Sequence, residues 1–249
     1  WSAHLGVGEE SESDVRVKRS GWEEPDVRDR IAGIALAFSS AVEFPRGISR
    51  VDGREVMLAG EDSDVLEGSD FTGRAYTLDW KEFVRLGGEH VLGVRLVGAQ
   101  GDSGIRPFNL GGTSQIKPLP QLLDSTPPYF PFSRRSYALR GYDEGLPQLT
   151  GNHMRLASFE YRFPVWRLER GAMAPPIGLH QLHGTLFMDN GAAWYDGQKT
   201  DDYYTGVGVE FKADVVVFYS AMARVSLGFA RGLDDIGEHQ AYLRIGGAF

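Results

Sequence analysis

Apolar and polar residues alternate with a period of two along most of this chain, and the 3.6-residue repeat of an amphipathic helix is almost absent. The run from Val215 to Arg231 is the clearest case: Val217, Tyr219, Ala221, Ala223, Val225, Leu227 and Phe229 share one face, and Ser220, Arg224, Ser226 and Gly228 the other. Val207, Val209 and Phe211 oppose Gly206, Gly208, Glu210 and Lys212. Phe159, Tyr161 and Phe163 oppose Ser158, Glu160 and Arg162, and at the end of the chain Ala241, Leu243, Ile245 and Phe249 oppose Gln240, Tyr242 and Arg244. Further upstream, Leu92, Val94 and Leu96 lie opposite Glu89 and Arg95, and Ile34, Leu36 and Phe38 opposite Gly33, Ala35 and Ala37.

The pattern predicts about ten strands, over 2–14, 30–42, 53–64, 70–85, 88–101, 152–165, 179–195, 203–213, 215–231 and 238–249. These exceed the usual strand of about 5 to 6 residues and suit tilted membrane-crossing strands of about 9 to 11 residues. The expected fold class is therefore all-β, an antiparallel transmembrane β-barrel occupying residues 1–249, with one long connection over 102–151. Arg85-Leu86-Gly87 and Lys212-Ala213-Asp214 read as tight turns on the opposite side. Short turns face the periplasm in such barrels and long loops face outward, which puts 102–151 on the extracellular side. A connection of that length is more often functional than idle.

Composition narrows the choice. The chain has no cysteine, which removes disulfides and thiolate metal sites. Its formal net charge of −8, with scattered Lys and Arg, argues against a nucleic-acid partner. No stretch of 18 apolar residues is present, so no membrane-spanning helix is expected, while a membrane barrel keeps an average hydropathy near zero. The chain opens on Trp1 without an initiating Met or a leader, and is expected to be part of a longer protein.

FNLGG (108–112), LRGY (139–142), SFEYRFP (158–164), GTLFMDNGAAW (184–194) and GVGVEF (206–211) follow one another in an order and spacing that resembles the C-terminal barrel region of the bacterial surface antigen, or BamA/TamA-type, superfamily. The resemblance is strong over residues 88–249; residues 1–87 match in general character only. It implies a barrel of about sixteen strands, of which this chain carries the last ten, located in the bacterial cell outer membrane. It implies a non-enzymatic role in protein insertion or translocation, with outer-membrane lipid as surroundings and unfolded outer-membrane proteins or periplasmic assembly factors as partners. No cofactor and no metal is implied. A passive channel, or a transporter of another cargo, is the alternative. The terminal Phe249 resembles the family's assembly signal, and Gly246 and Gly247 would loosen a last strand that forms a seam with the first.

In that family the long loop folds back into the lumen, and its arginine, here Arg140, meets acids on the wall. Strand parity supports this separately: with Phe159 and Tyr161 outward Glu160 points inward, and with Leu186 and Met188 outward Asp189 and Phe187 point inward. The planar fork of Arg140 suits two carboxylates. Gly141 would let the backbone pass close to the wall, and Tyr142 would pack on Phe187. Arg140, Gly141, Tyr142, Glu160 and Asp189 thus form a candidate structural latch.

Other patterns carry less. His180 and His183, three apart on a strand, fall on opposite faces and do not make a metal site. Residues 196–202 carry the acids of a calcium loop without its glycine and terminal Glu in register, and the glycines within 110–112 and 206–208 precede no helix, which excludes a phosphate cradle. Ser158 and Ser220 lie in no nucleophile elbow. Residues 126–132, rich in proline and aromatics, read as an ordered loop crossing. Trp80, Trp166, Trp194 and Tyr195 suit an interfacial girdle.

Overall fold

The computed structural model describes residues 1–12, 27–43, 50–113, 134–171, 177–198, 202–217 and 221–247. Ten long strands are present: β1 (Ser2–Glu12), β2 (Val27–Ser39), β4 (Arg50–Asp62), β5 (Arg74–Gly87), β6 (His90–Gly101), β10 (His153–Gly171), β11 (Ile177–Trp194), β12 (Tyr204–Val217), β13 (Ala221–Gly232) and β14 (His239–Gly247). Each pairs antiparallel with the next, in the order β1-β2-β4-β5-β6-β10-β11-β12-β13-β14, and the short β3 (Val42–Glu43) adds to β4. The fold is all-β and antiparallel, as the alternation requires, and no helix among the described residues is long and apolar enough to cross a membrane. Among the described residues β1 and β14 are the two edges and do not pair with each other.

One face of this sheet is apolar from edge to edge. Leu36 stands opposite Leu58, Leu58 opposite Leu78, and Trp80 opposite Leu96. Phe159 faces Val94 on one side and Met188 on the other; Leu186 faces Val209, Phe211 faces Leu227, and Leu227 faces Leu243. These side chains are exposed; Leu186 and Leu227 keep 49% and 44% of their surface. The opposite face is polar and buried. Asp79 accepts two bonds from Arg95, Asp214 accepts two from Arg224, and His183, Thr185 and Glu210 are all but fully covered. A cleft of about 440 Å³ on that face is lined both by Arg50 of β4 and by Arg244 of β14, so the sheet curls until its distant strands share one interior.

The main core lies inside the curl, between the sheet and the long connection. The described part of residues 102–151 carries three short strands, β7 (Phe108–Leu110), β8 (Ser136–Tyr137) and β9 (Thr150–Gly151), paired in the order β8-β7-β9. Phe108, Leu110, Tyr137, Leu139, Tyr142 and Leu149 from this segment pack against Ala75, Val97, Ala99, Met154 and Leu156 on the inner face of β5, β6 and β10.

Several sequence expectations need correction. Lys212-Ala213-Asp214 is not a turn: β12 runs on to Val217, and Lys212 and Asp214 face the interior beside Glu210 and Arg224. Charge signals a turn only where a strand's polar side faces bulk water, and here the polar side is an enclosed surface. The expected strand 215–231 is consequently the end of β12 and all of β13. Arg85-Leu86-Gly87 is still strand; the reversal falls at Gly88-Glu89, where Gly87 and Gly88 take φ of 126° and 56°. Trp80 is mid-strand in β5, although its indole donates to Glu82 and thereby marks where the apolar face ends. Residues 126–132, Ser220, Phe249 and part of 196–202 lie outside the described residues.

Leu139 is fully buried in the core that the connection makes with the sheet. Its truncation to Ala is expected to cost about 2 to 5 kcal/mol, read by equilibrium unfolding in detergent.

Candidate functional site

The site is the place where the tip of the long connection meets the wall. After β8 the chain turns at Leu139-Arg140-Gly141, and Gly141 takes a φ of 96°, in the left-handed region that favours glycine. A Cβ on Gly141 would lie 2.6 Å from the carbonyl carbon of Arg231, so the turn rests directly on the β13 backbone. Gly206 of β12 gives way from the other side: a Cβ there would strike the carbonyl oxygen of Arg140. Two glycines thus bring two backbones together and set the position from which the arginine side chain starts.

Arg140 then engages three carboxylates on three adjacent strands. Its Nε and Nη2 donate to the two oxygens of Asp189 on β11 at 2.6 and 2.8 Å, a bidentate fork. The Arg140 backbone N–H lies 3.3 Å from the same carboxylate. Nη1 donates to Glu160 Oε1 on β10 at 3.1 Å and stands 3.9 Å from Glu210 Oε2 on β12. The flat face of the guanidinium lies on the Phe187 ring, 3.6 Å from its centre. The sheet register explains the convergence: Asp189 pairs with Ser158, Glu160 pairs with Phe187, and Phe187 pairs with Gly208. The acids are diagonal neighbours around an aromatic floor, and not level with each other.

Each acid has further support. Glu160 also accepts from Arg162 Nε and Nη2 at 3.0 and 2.8 Å. Glu210, with none of its surface exposed, contacts Arg244 of β14 and Lys212, the latter at 3.5 Å. Arg244 in turn donates to the Thr113 carbonyl of the long connection at 3.2 Å. Burial by itself pulls the Arg140 guanidinium toward the neutral form. The hydrogen bonds and charge of Asp189, with Glu160 behind them, outweigh burial and hold it above the ordinary arginine value.

Gly141 and Tyr142 extend the attachment to the remaining strands. The Gly141 N–H donates to Gln240 Oε1 of β14 at 3.0 Å, and its carbonyl accepts from Glu238 N–H at 2.8 Å. Gln240 reaches back to Asp143 at 3.0 Å. Tyr142 does not pack on Phe187 as the sequence suggests, because the Arg140 guanidinium takes that ring. Tyr142 packs edge-on against Tyr204, donates its hydroxyl to Asp234 Oδ2 at 2.6 Å, and lies 2.8 Å from the Thr205 carbonyl. Burial, then the bond to Asp234, pushes its phenol up to about 12.

A second anchor was not read from the sequence at all. Arg135, 4% exposed, pairs with Glu61 of β4 at 2.6 Å, and Arg134 lies 3.9 Å from Asp79 of β5. The connection therefore ties β4 and β5 to β10–β14 across the interior. Glu210 and Gln240 were also missed as members of the site, although the parity that turned Glu160 inward places Glu210 inward as well. Arg135 and Glu61 offered no comparable signal, since their meeting depends on how the connection crosses the sheet.

No group of His, Asp and Glu among the described residues is arranged to hold a metal ion. His183 is buried on the interior face, and the side chain of His180 lies outside the described residues. What the arrangement does chemically is fix a loop by charge neutralisation. No protein-family model matches the chain, and no curated protein matches it.

Arg140→Ala leaves Asp189 without a cation among the described residues while Glu160 keeps Arg162 and Glu210 keeps Arg244 and Lys212, and is expected to cost about 3 to 5 kcal/mol. Lower heat resistance of the folded form on semi-native gels is the readout. Arg140→Lys should restore little, because an ammonium cannot span the fork and the Phe187 ring together. Mobility unchanged in both variants would mean that the pairs do not hold the loop.

Proposed function

We propose that this chain is the wall of an outer-membrane β-barrel, of the BamA/TamA-type surface-antigen kind, serving protein insertion or translocation with residues 102–151 as an internal plug. The observation that carries the membrane part is the apolar band running through cross-strand neighbours from Leu36 to Leu243, set against a charged interior. Soluble monomers rarely expose apolar patches beyond about 300 to 600 Å². This band crosses the whole sheet, and its order is inverted relative to a soluble sandwich, which buries its apolar face. Lipid is the surrounding that makes such a sheet stable.

The role in handling other proteins is supported by two features. The interior is occupied by an anchored segment, which suits a gated device better than an open pore. The β14 edge, unpaired on its outer side among the described residues and with Gly246 and Gly247 near its end, is open to an incoming strand. The partners would be unfolded outer-membrane proteins, with periplasmic assembly factors delivering them, and no chemistry is performed. A passive channel is the second reading; it draws on the interior cleft, lined by eight cationic side chains and three acidic ones.

The protein is expected to fractionate with detergent-extracted outer membrane, and the parent reconstituted in lipid vesicles to speed the folding of a client barrel. Ion conduction without that acceleration would leave the channel reading in its place, and recovery in the soluble fraction would remove both. Separately, Phe159→Lys, in the middle of the band, should destabilise the inserted state by about 2 to 4 kcal/mol, measured by denaturant titration in lipid vesicles. A neutral outcome there would count against lipid on that face.

A further inference from the structure

On the outward face of β5, β6 and β10 the apolar band is interrupted by a trough of about 500 Å³. Its floor is Gly98. The row that runs Leu36, Leu58, Leu78, Gly98, Arg155 across the strands has no side chain at its fourth position. A Cβ built on Gly98 meets nothing within 4 Å, so the space is not filled by any neighbour. Gly60, opposite Ile34 and Tyr76, continues the floor toward β2, where the Tyr76 ring borders it. Ile34, Leu36, Leu58 and Leu78 make its apolar side. With strands about 4.8 Å apart, the two walls flanking Gly98 stand roughly 10 Å from each other, room for an extended hydrocarbon chain.

The other wall is a cation. Arg155 is exposed on β10, just where the outward residues change from Phe159 and Ala157 to His153. Its guanidinium lies 5.4 Å from the Trp194 ring and 3.4 Å from the Tyr203 hydroxyl. Among the described residues no carboxylate lies within ion-pair reach of it. The nearby His153 is already bonded to Asp196 at 2.7 Å, and that carboxylate is held below its ordinary range by the bonds from His153 and Asn152. Trp194, Tyr203 and Tyr76 around Arg155 are the residue types that favour the level of lipid headgroups. A guanidinium at that level, bordering hydrocarbon and without a carboxylate partner among the described residues, suits an external anion.

We propose that this trough binds one phosphate-bearing anionic lipid, with an acyl chain lying over Gly98 against Leu58 and Leu78, and the phosphate on Arg155. The charge decides the class of occupant: a cation with no carboxylate partner among the described residues, beside an apolar groove, complements an anionic amphiphile and discriminates against a zwitterionic one. The glycine floor decides the shape, since a side chain at position 98 would close the groove. This proposal rests on the membrane reading above.

The test uses the full-length protein purified in mild detergent and exposed to phosphatidylglycerol or phosphatidylcholine, with retained lipid counted by native mass spectrometry. The wild type is expected to retain phosphatidylglycerol in preference to phosphatidylcholine. Arg155→Gln should lower phosphatidylglycerol retention about fivefold and leave phosphatidylcholine unchanged. Gly98→Leu, at an open position with ordinary backbone, should reduce retention of both. Equal phosphatidylglycerol retention by the wild type and Arg155→Gln would overturn the site, as would a wild type with no preference. Vesicle flotation separates the two levels: a wild type that floats yet shows no preference leaves the membrane reading standing, whereas one that does not float removes both.

Discussion

A guanidinium enclosed by a protein wall is tolerated only where its charge and its donors are matched, and the matching of Arg140 by Asp189, Glu160 and Glu210 is the constraint around which this fold is arranged. Three acids on β10, β11 and β12 would repel one another across a covered surface without a cation between them. The cation comes from a distant part of the chain, on a segment that also buries its apolar side chains inside the curl. Loop and wall therefore depend on each other. The segment is held by the wall's acids, and Asp189 of the wall is neutralised by the segment.

That dependence also explains where the core is. The apolar side of the sheet faces outward and contributes nothing to internal packing, so the main buried apolar cluster is the one the inserted segment makes with Val97, Met154 and Leu156. Arg140 and Arg135 pin the segment at two separate places, on β10–β12 and on β4. A loop held at both ends of its crossing acts as a strut between the two halves of the curl. Gly141 and Gly206 set the distance at which this happens, because both backbones approach closer than a side chain would allow.

The outer face follows a different physics. Its order comes from cross-strand apolar pairs and from the change to aromatic and polar residues near strand ends, and Arg155 and Gly98 stand out because they interrupt that order at one place. The inner face is organised by ion pairs between adjacent strands, such as Asp79 with Arg95 and Asp214 with Arg224. These pairs neutralise each other locally.

The long strands, their order and the inward turn of Glu160 and Asp189 were legible because a period of two assigns every residue in a strand to one of two faces, and the assignment needs nothing beyond the local sequence. The same rule misled at Lys212 and Asp214, where charge was read as a turn; only the folded sheet shows that its polar side is enclosed. Parity could turn Asp189 inward and could not set its height, and the diagonal placement of Asp189 and Glu160 around Phe187 was decided by register. It could not seat Tyr142, which loses the Phe187 ring to Arg140, nor bring Arg135 to Glu61 across some seventy residues of sequence. Face is a local property of a strand and is written in the chain. Which residues meet across an interior depends on register and on the path of the long connection, and these are fixed only when the whole sheet closes its packing around that connection.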